Sequence, residues 1–258
     1  MIKDPDCKPV IEFRKVGYRL PTGQALLKNI TFSVGQGQTL VLLGRSGAGK
    51  TTALKLINRL LDPSDGDVLV NGLATTAWNP IDLRRSIGYV IQETGLFPHY
   101  TVEQNVALVP SLEGWSRPRI RSRVEELLAL VGLDPEGYLK RYPHELSGGQ
   151  RKRVGVARAL AADPPVLLMD EPFGALDPIT RSDVRREFHE LQGRLEKTIV
   201  IVTHDIGEAL LLGTQIALID GGELKGVYTP REFLNTREPV AAAYLAQFQV
   251  LQEAQEGE

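Results

Sequence analysis

Gly44-Arg45-Ser46-Gly47-Ala48-Gly49-Lys50-Thr51-Thr52 decides how this chain is read. The stretch fits the phosphate-loop pattern G-x-x-x-x-G-K-[ST]. Before it, Thr39–Leu43 is a short apolar run suited to a buried parallel strand. After it, Ala53, Leu54, Leu56, Ile57 and Leu60 recur at helical spacing. A polyphosphate needs many donors at close range, and side chains on the loop would hold it off. Glycines let the backbone N–H groups curl around the phosphates, while the next helix offers its positive N-terminal end. Lys50 adds a point charge for the outer phosphates, and the Thr51 hydroxyl can ligate Mg²⁺. The strand–loop–helix setting distinguishes the stretch from an ordinary glycine-rich turn, and the chain reads as a nucleoside-triphosphate binder.

The bulk composition narrows the setting. The chain has 258 residues, 42% hydrophobic and 24% charged, as in ordinary globular proteins with a real core. A net charge of -2 leaves no global basic footprint for nucleic acid. Arg117, Arg119, Arg121 and Arg123 form a local basic run, as do Arg151, Lys152 and Arg153; both read as solvated helix faces. Cys7 is the single cysteine and has no internal disulfide partner, which fits a reducing compartment and a free surface thiol. Met1–Val10 is charged and proline-containing, without the apolar centre of a secretory signal. No apolar run reaches the ~20 residues that span a bilayer, so a membrane role is expected to come through a partner.

Along the chain, Val10–Val16 alternates as a half-buried strand, Tyr18 follows, and Leu26–Val34 is a second strand beyond a Pro21-Thr22-Gly23 turn. Val68–Val70 with Asn71-Gly72 reads as a strand entering a tight hairpin. After Ile87–Ile91 the composition turns helical, with helices expected over Thr101–Leu108 and Arg119–Val131. The region from Thr94 to Tyr142 offers no buried strand and reads as a helical insertion in an α/β core.

A second group of residues starts at Leu146. Ser147-Gly148-Gly149-Gln150 precedes a helix through Val154, Val156, Ala157 and Leu160. The serine by itself reads as an N-cap; the glycines after it would bare backbone N–H groups at a positive helix end, a second anion site without a lysine. Val166–Met169 is an apolar strand ending in Asp170 and Glu171. Carboxylates at the C-terminal end of a buried parallel strand face the crevice where such sheets bind ligands. Asp170 is placed to hold Mg²⁺ and Glu171 to polarise an attacking water. Thr198–Val202, another buried strand, ends at Thr203-His204-Asp205. His204 could sense a γ-phosphate or simply bond a neighbouring carbonyl. Gln215–Ile219 and Glu223–Val227 read as a closing hairpin, and Arg231–Phe248 as a helical tail fraying into Gln252–Glu258.

In this order the motifs resemble those of ABC-transporter ATPase subunits over nearly the whole chain, about Ile11 to Gly222. Tyr18 matches the adenine-stacking aromatic, Gly44–Thr52 the Walker A loop, and Gln92 the Q-loop. Leu146–Gln150 matches the LSGGQ signature, Val166–Asp170 with Glu171 the Walker B strand, Ala175–Asp177 the D-loop, and His204 the switch histidine. The resemblance implies an α/β ABC-type P-loop NTPase fold. Its RecA-like core and antiparallel β subdomain are expected over 1–93 and 163–228, its helical signature subdomain over 94–162, and a helical tail over 229–258. It resolves the two open readings: Ser147 and His204 take functional roles by context.

A finer similarity points to importers of glycine betaine, carnitine and choline. It is carried by Ile57–Leu60, Leu83–Gln92, Gly95–His99, Arg141–Glu145 and Glu171–Arg181. Regulatory CBS domains common in that subfamily are not expected within this length, and Arg45 replaces the proline usual there. The resemblance implies that Tyr18 stacks on adenine and that the loop amides, Lys50 and Thr52 hold the phosphates of ATP. Thr51, Gln92 and Asp170 organise Mg²⁺; Glu171 and His204 complete the hydrolytic site. Ser147 and Gly149 are expected to reach the γ-phosphate of ATP bound to a second copy, with Gly148 and Gln150 also counted in the nucleotide site and Asp177 at the seam of the head-to-tail homodimer. The segment Gln92–His99 is expected to face integral membrane permease subunits, with a solute-binding protein engaged indirectly, at the cytoplasmic face of the inner or plasma membrane. Other small solutes such as amino acids, a soluble non-transport ABC ATPase and a non-hydrolysing scaffold are the rival readings.

Overall fold

The computed structural model describes residues 9–93 and 95–256, with the side chains of all these except 247 and 249–256. Cys7 and most of the charged 1–10 segment lie outside the described residues. The chain forms two compact units, Met1–Leu83 with Thr198–Glu258, and Arg84–Lys197. The first part of the chain supplies β1 (Pro9–Arg19), β2 (Ala25–Gly35), β3 (Thr39–Leu43), α1 (Lys50–Ile57), β4 (Asp65–Val70), β5 (Leu73–Ala74) and α2 (Pro80–Arg85). The middle supplies β6 (Ile87–Val90), α3 (Val102–Leu112), α4 (Arg117–Leu130), α5 (Pro135–Tyr138), α6 (Gly148–Leu160), β7 (Val166–Asp170) and α7 (Pro178–Leu195). The last part adds β8 (Thr198–Thr203), α8 (Ile206–Leu212), β9 (Gln215–Asp220), β10 (Glu223–Tyr228), α9 (Pro230–Asn235) and α10 (Pro239–Glu256).

The first unit holds an antiparallel sheet in the order β2-β1-β4-β5. Alternation along β1 buries Ile11 and Phe13, and Phe13 stacks on Phe32 of β2 with ring centroids 4.4 Å apart. The β4–β5 hairpin turns at Asn71 and Gly72, whose φ values of 52° and 77° are the pair of positive dihedrals such a two-residue turn demands. Beside this sheet in the same unit, β3 pairs in parallel with β8 and β9, and β10 closes antiparallel on β9. Every residue of β3 and β8 is buried, which is why Leu40–Leu43 and Ile199–Val202 read as continuous apolar runs.

In the second unit β6 and β7 pair in parallel, from Ile87 opposite Val166 to Val90 opposite Met169. Helix α6 packs on β6 and against α3, α4 and α7. Among the described residues between β6 and β7 the regular structure is all helical. Capping boxes at Thr101 with Gln104 and at Ser147 with Gln150 start α3 and α6.

Two expectations are corrected. The tail is two helices: Thr229 and Glu232 cap α9, and α10 starts afresh at Pro239. Proline disfavours helical backbone at the residue before it, so the helix cannot run through Glu238. Helix α10 also continues to Glu256, through the stretch expected to fray, because Gln, Glu and Ala are good helix formers. The basic runs are not plain solvated faces either. Arg117, Arg119 and Arg121 are exposed, but Arg123 reaches the carbonyls of Leu160 and Ala161, and Lys152 is buried. Consecutive helical residues point in different directions, so a run of three cannot share one face.

Candidate functional site

The first unit carries the phosphate loop. At Gly44 an added β-carbon would stand 2.2 Å from the carbonyl oxygen of Ile219, so only glycine lets β3 run past β9 into the loop. Gly47 and Gly49 take φ of 80° and 100°, left-handed backbone that turns the loop into α1. A β-carbon on Gly49 would also press on Leu27 Cδ2 at 2.6 Å and on the Leu26 carbonyl at 2.8 Å. Lys50 is 6% exposed and donates through Nζ to the carbonyls of Gly44 at 2.7 Å and Arg45 at 3.0 Å. Arg45 and Ser46 are exposed, Ala48 is buried, and Thr51 and Thr52 lie half-buried in the first turn of α1.

Two other expected residues sit near this loop. Tyr18 lies in β1 opposite Leu27, the residue whose side chain packs against Gly49. His204 is exposed at the β8–α8 turn. That turn is fixed from behind: Thr203 Oγ1 donates to the buried Glu208 at 2.5 Å, and Asp205 caps α8 by accepting from the Glu208 N–H at 3.1 Å. His204, Arg45 and Ser46 line one cavity of about 300 Å³, walled on its other side by Ala243 and Tyr244 of α10. The part of α10 in this wall was not legible in the sequence.

The second unit carries the acids. Asp170 ends β7 and is 5% exposed; Glu171 turns the chain out of the strand with φ of 45°. A bulky residue in that left-handed region is under strain, and such strain concentrates at functional positions. Tyr89 on β6 has its phenol pushed up to about 12, by burial first and by Asp170 second. Gln92 follows β6, and its carbonyl accepts from Lys152 Nζ. Burial pushes the Lys152 ammonium below the usual lysine range, while Glu171, Asp170 and Glu93 pull it back up. Sequence reading missed Lys152, although it lies four and eight residues before the buried Val156 and Leu160, on the core stripe of α6.

The signature and D-loop residues meet within this unit. Ser147 Oγ accepts from the Gln150 N–H at 3.2 Å, and Gln150 Nε2 donates to the Tyr138 hydroxyl at 2.8 Å. Gly148 packs on Leu176, and Gly149 is buried where a β-carbon would stand 2.9 Å from Thr180 Cγ2. These glycines therefore serve close packing. Asp177 caps α7 by accepting from the Thr180 N–H at 3.0 Å, a bond that holds its carboxyl below the usual range. A cleft of about 340 Å³ borders the segment after Gln92, lined by Arg84, Arg85, Tyr89, Ile91, Phe97 and Arg158.

Fold and loop together define an α/β nucleotide-binding protein of the P-loop class. The ABC transporter family matches residues 27–174, and the chain belongs to that family. It is 52% identical over 212 residues to the glycine betaine/carnitine/choline transport ATP-binding protein of Bacillus subtilis, covering 82% of this chain and 56% of that one. It is likewise 52% identical over 214 residues to the osmoprotectant import ATP-binding protein of Salmonella typhimurium, covering 82% and 56%. To the glycine betaine uptake system ATP-binding protein of Escherichia coli it is 50% identical over 215 residues, covering 83% and 69%. The chain thus spans about half the length of the first two relatives. Among solved structures, an ATP-binding cassette dimer in a post-hydrolysis state bound to ADP and Pi matches with TM-score 0.76 and 33% identity, covering 86% of this chain and 99% of that one. The cbiO1 protein of Clostridium perfringens, part of an ABC transporter complex, matches with TM-score 0.81 and 30% identity, covering 95% and 99%.

Proposed function

We propose that this chain is the ATP-hydrolysing subunit of an importer for osmoprotectants of the quaternary-amine type. The buried Lys50 ammonium, held by the carbonyls of its own glycine loop at the head of α1, carries the nucleotide-binding part of this reading, and the similarity to glycine betaine and osmoprotectant transport proteins supports the cargo. The ammonium adds positive charge to a helix N-terminus, the combination that binds phosphates. Tyr18 stacks on adenine, the loop amides with Lys50 and Thr52 hold the phosphates, and His204 answers the γ-phosphate across from Ser46. Glu171 takes the proton of the attacking water.

The oxygen-only set of the Thr51 hydroxyl, the Gln92 amide and the Asp170 carboxylate suits Mg²⁺, which takes few protein ligands and several phosphate oxygens. Among the described residues no group of three or more His, Cys, Asp or Glu competes as a metal cage. Bound there, Mg²⁺ would neutralise charge on the transferred phosphate.

A second copy completes the site. Ser147 and Gly149 reach the γ-phosphate of the partner copy's ATP, with Gly148 and Gln150 beside them and Asp177 at the seam. ATP favours the closed dimer by contacts the open one lacks. No helix among the described residues is long and apolar enough to cross a membrane. Permease subunits provide the passage, docking at the cleft beside Gln92–His99 at the cytoplasmic face, while a solute receptor acts on their far side.

The test uses the purified full chain with MgATP. Glu171→Gln should retain ATP, lose roughly 10²–10⁴-fold in hydrolysis and accumulate a dimer on size-exclusion chromatography. Near-wild-type turnover would remove the base assignment. Vesicles holding the chain with its membrane and receptor subunits should take up labelled glycine betaine on addition of ATP; uptake of amino acids alone would shift the cargo.

A further inference from the structure

The run between β6 and α3 is held by side chains from within the second unit. Lys152 donates to the Gln92 carbonyl, and Arg158 donates to the Gly95 carbonyl at 2.6 Å. The fully buried Asn105 accepts from the Phe97 N–H at 2.8 Å and donates to the carbonyls of Phe97, Tyr100 and Thr101 at 3.2, 3.1 and 3.0 Å. Backbone groups outside regular structure need such partners, so these three side chains fix the course of the segment. Two of them come from α6, whose first residues are the signature.

Lys152 differs from the other two in its surroundings. It is 6% exposed, and lysine is seldom buried without a charged neighbour. Its neighbours in charge are Glu171, Asp170 and Glu93. A methionine would fill the same space without the cost of desolvating an ammonium. The ammonium, however, joins two things no apolar residue could join: the Gln92 carbonyl and the field of the acids ending β7.

We propose that Lys152 is a positioning residue for hydrolysis, tying the Gln92 backbone to the signature helix and so setting the geometry of Gln92. This role rests on the reading of the chain as an ATPase. Lys152 acts through the Gln92 carbonyl that it holds. Small misplacements of reacting groups cost rate more than affinity, so its loss falls on turnover.

The experiment compares Lys152→Met, Lys152→Gln and Lys152→Arg in the full chain. Steady-state phosphate release gives kcat and KM, a fluorescent ATP analogue gives Kd, and hydrogen exchange follows peptides over 89–101. Lys152→Met should lower kcat by about 10- to 100-fold with KM, Kd and the unfolding midpoint nearly unchanged. Lys152→Gln, which keeps a donor without charge, should fall between, and Lys152→Arg should restore part of the rate. Exchange over 92–97 should quicken in Lys152→Met in the nucleotide-free protein while α7 stays as before. Unchanged kcat, or an equal fall of kcat, affinity and unfolding midpoint in all three variants, would overturn the positioning role. Absence of turnover in the unmutated chain would instead overturn the ATPase reading, and unaltered exchange over 92–97 in Lys152→Met would overturn the tether by itself.

Discussion

The ammonium of Lys50 lies 2.7 Å from the carbonyl oxygen of Gly44, the residue that opens its own loop. The loop is thereby closed on the cation that is to meet the outer phosphates. Lys50→Ala removes a charged donor from two carbonyls and the counter-charge from the nucleotide. A charge-assisted bond is worth enough that ATP affinity should drop by about tenfold or more, with hydrolysis falling further. Titration with a fluorescent ATP analogue checks this, and wild-type affinity in the variant would contradict it.

Gly44 and Gly23 make opposite demands on a methyl group. At Gly44 the added carbon meets the Ile219 carbonyl at 2.2 Å, and a backbone atom cannot swing aside. At Gly23 it meets nothing within 4 Å, and only φ of 88° resists. Gly44→Ala should cost about 3 kcal/mol or more through forced backbone shifts, Gly23→Ala about 1–2 kcal/mol from backbone strain alone. Urea denaturation of the two variants ranks them; equal losses would mean the close approach to β9 carries no cost.

Ser147 has one observed role and one proposed role, and substitution can separate them. It caps α6 by accepting from the Gln150 N–H, and it is assigned to the partner copy's γ-phosphate. Ser147→Arg loses the cap, at about 0.5–2 kcal/mol, and should bind ATP in the monomer but not dimerise. Ser147→Asp keeps a cap acceptor, so stability should hold while the new charge repels phosphate and the dimer is again lost. Light scattering with and without ATP reads the outcome, and an ATP-induced dimer in Ser147→Asp would count against the trans contact.

Asp163 links stability to pH. Its hydrogen bond from Lys197 at 2.9 Å, with the charges of Lys197 and Arg123, holds its carboxyl below the usual aspartate range. The folded state therefore binds this proton less readily than the unfolded chain. The contribution is present above the unfolded value of about 3.9 and is lost as pH falls through the lower folded value. The Asp163 side chain is 64% exposed, so solvent screening limits the contribution to about 1 kcal/mol at most. Asp163→Asn tolerates the left-handed φ of 56° at this position and should lower the unfolding midpoint more at pH 7 than at pH 3. An equal loss at both pH values would remove the ion-pair account.

The strands were legible where one rule governed a whole run. β3 and β8 are apolar between threonine ends because both faces are covered, and the Asn71-Gly72 turn announces itself by needing two positive φ values. The tail was less legible, since a single Pro239 outweighs the helical propensity on either side of it.

From sequence alone came the phosphate loop, the acids at the end of β7, the signature and the family to which their order belongs. Each is a local pattern whose chemistry depends on neighbours along the chain. Tertiary structure alone decided that Lys152, within what read as a solvated basic run, is buried at the Gln92 carbonyl. It also decided that Ala243 and Tyr244 wall the cavity of His204 and Ser46. Burial and field at a side chain are set by segments distant in sequence, and no local spacing records which segments those are.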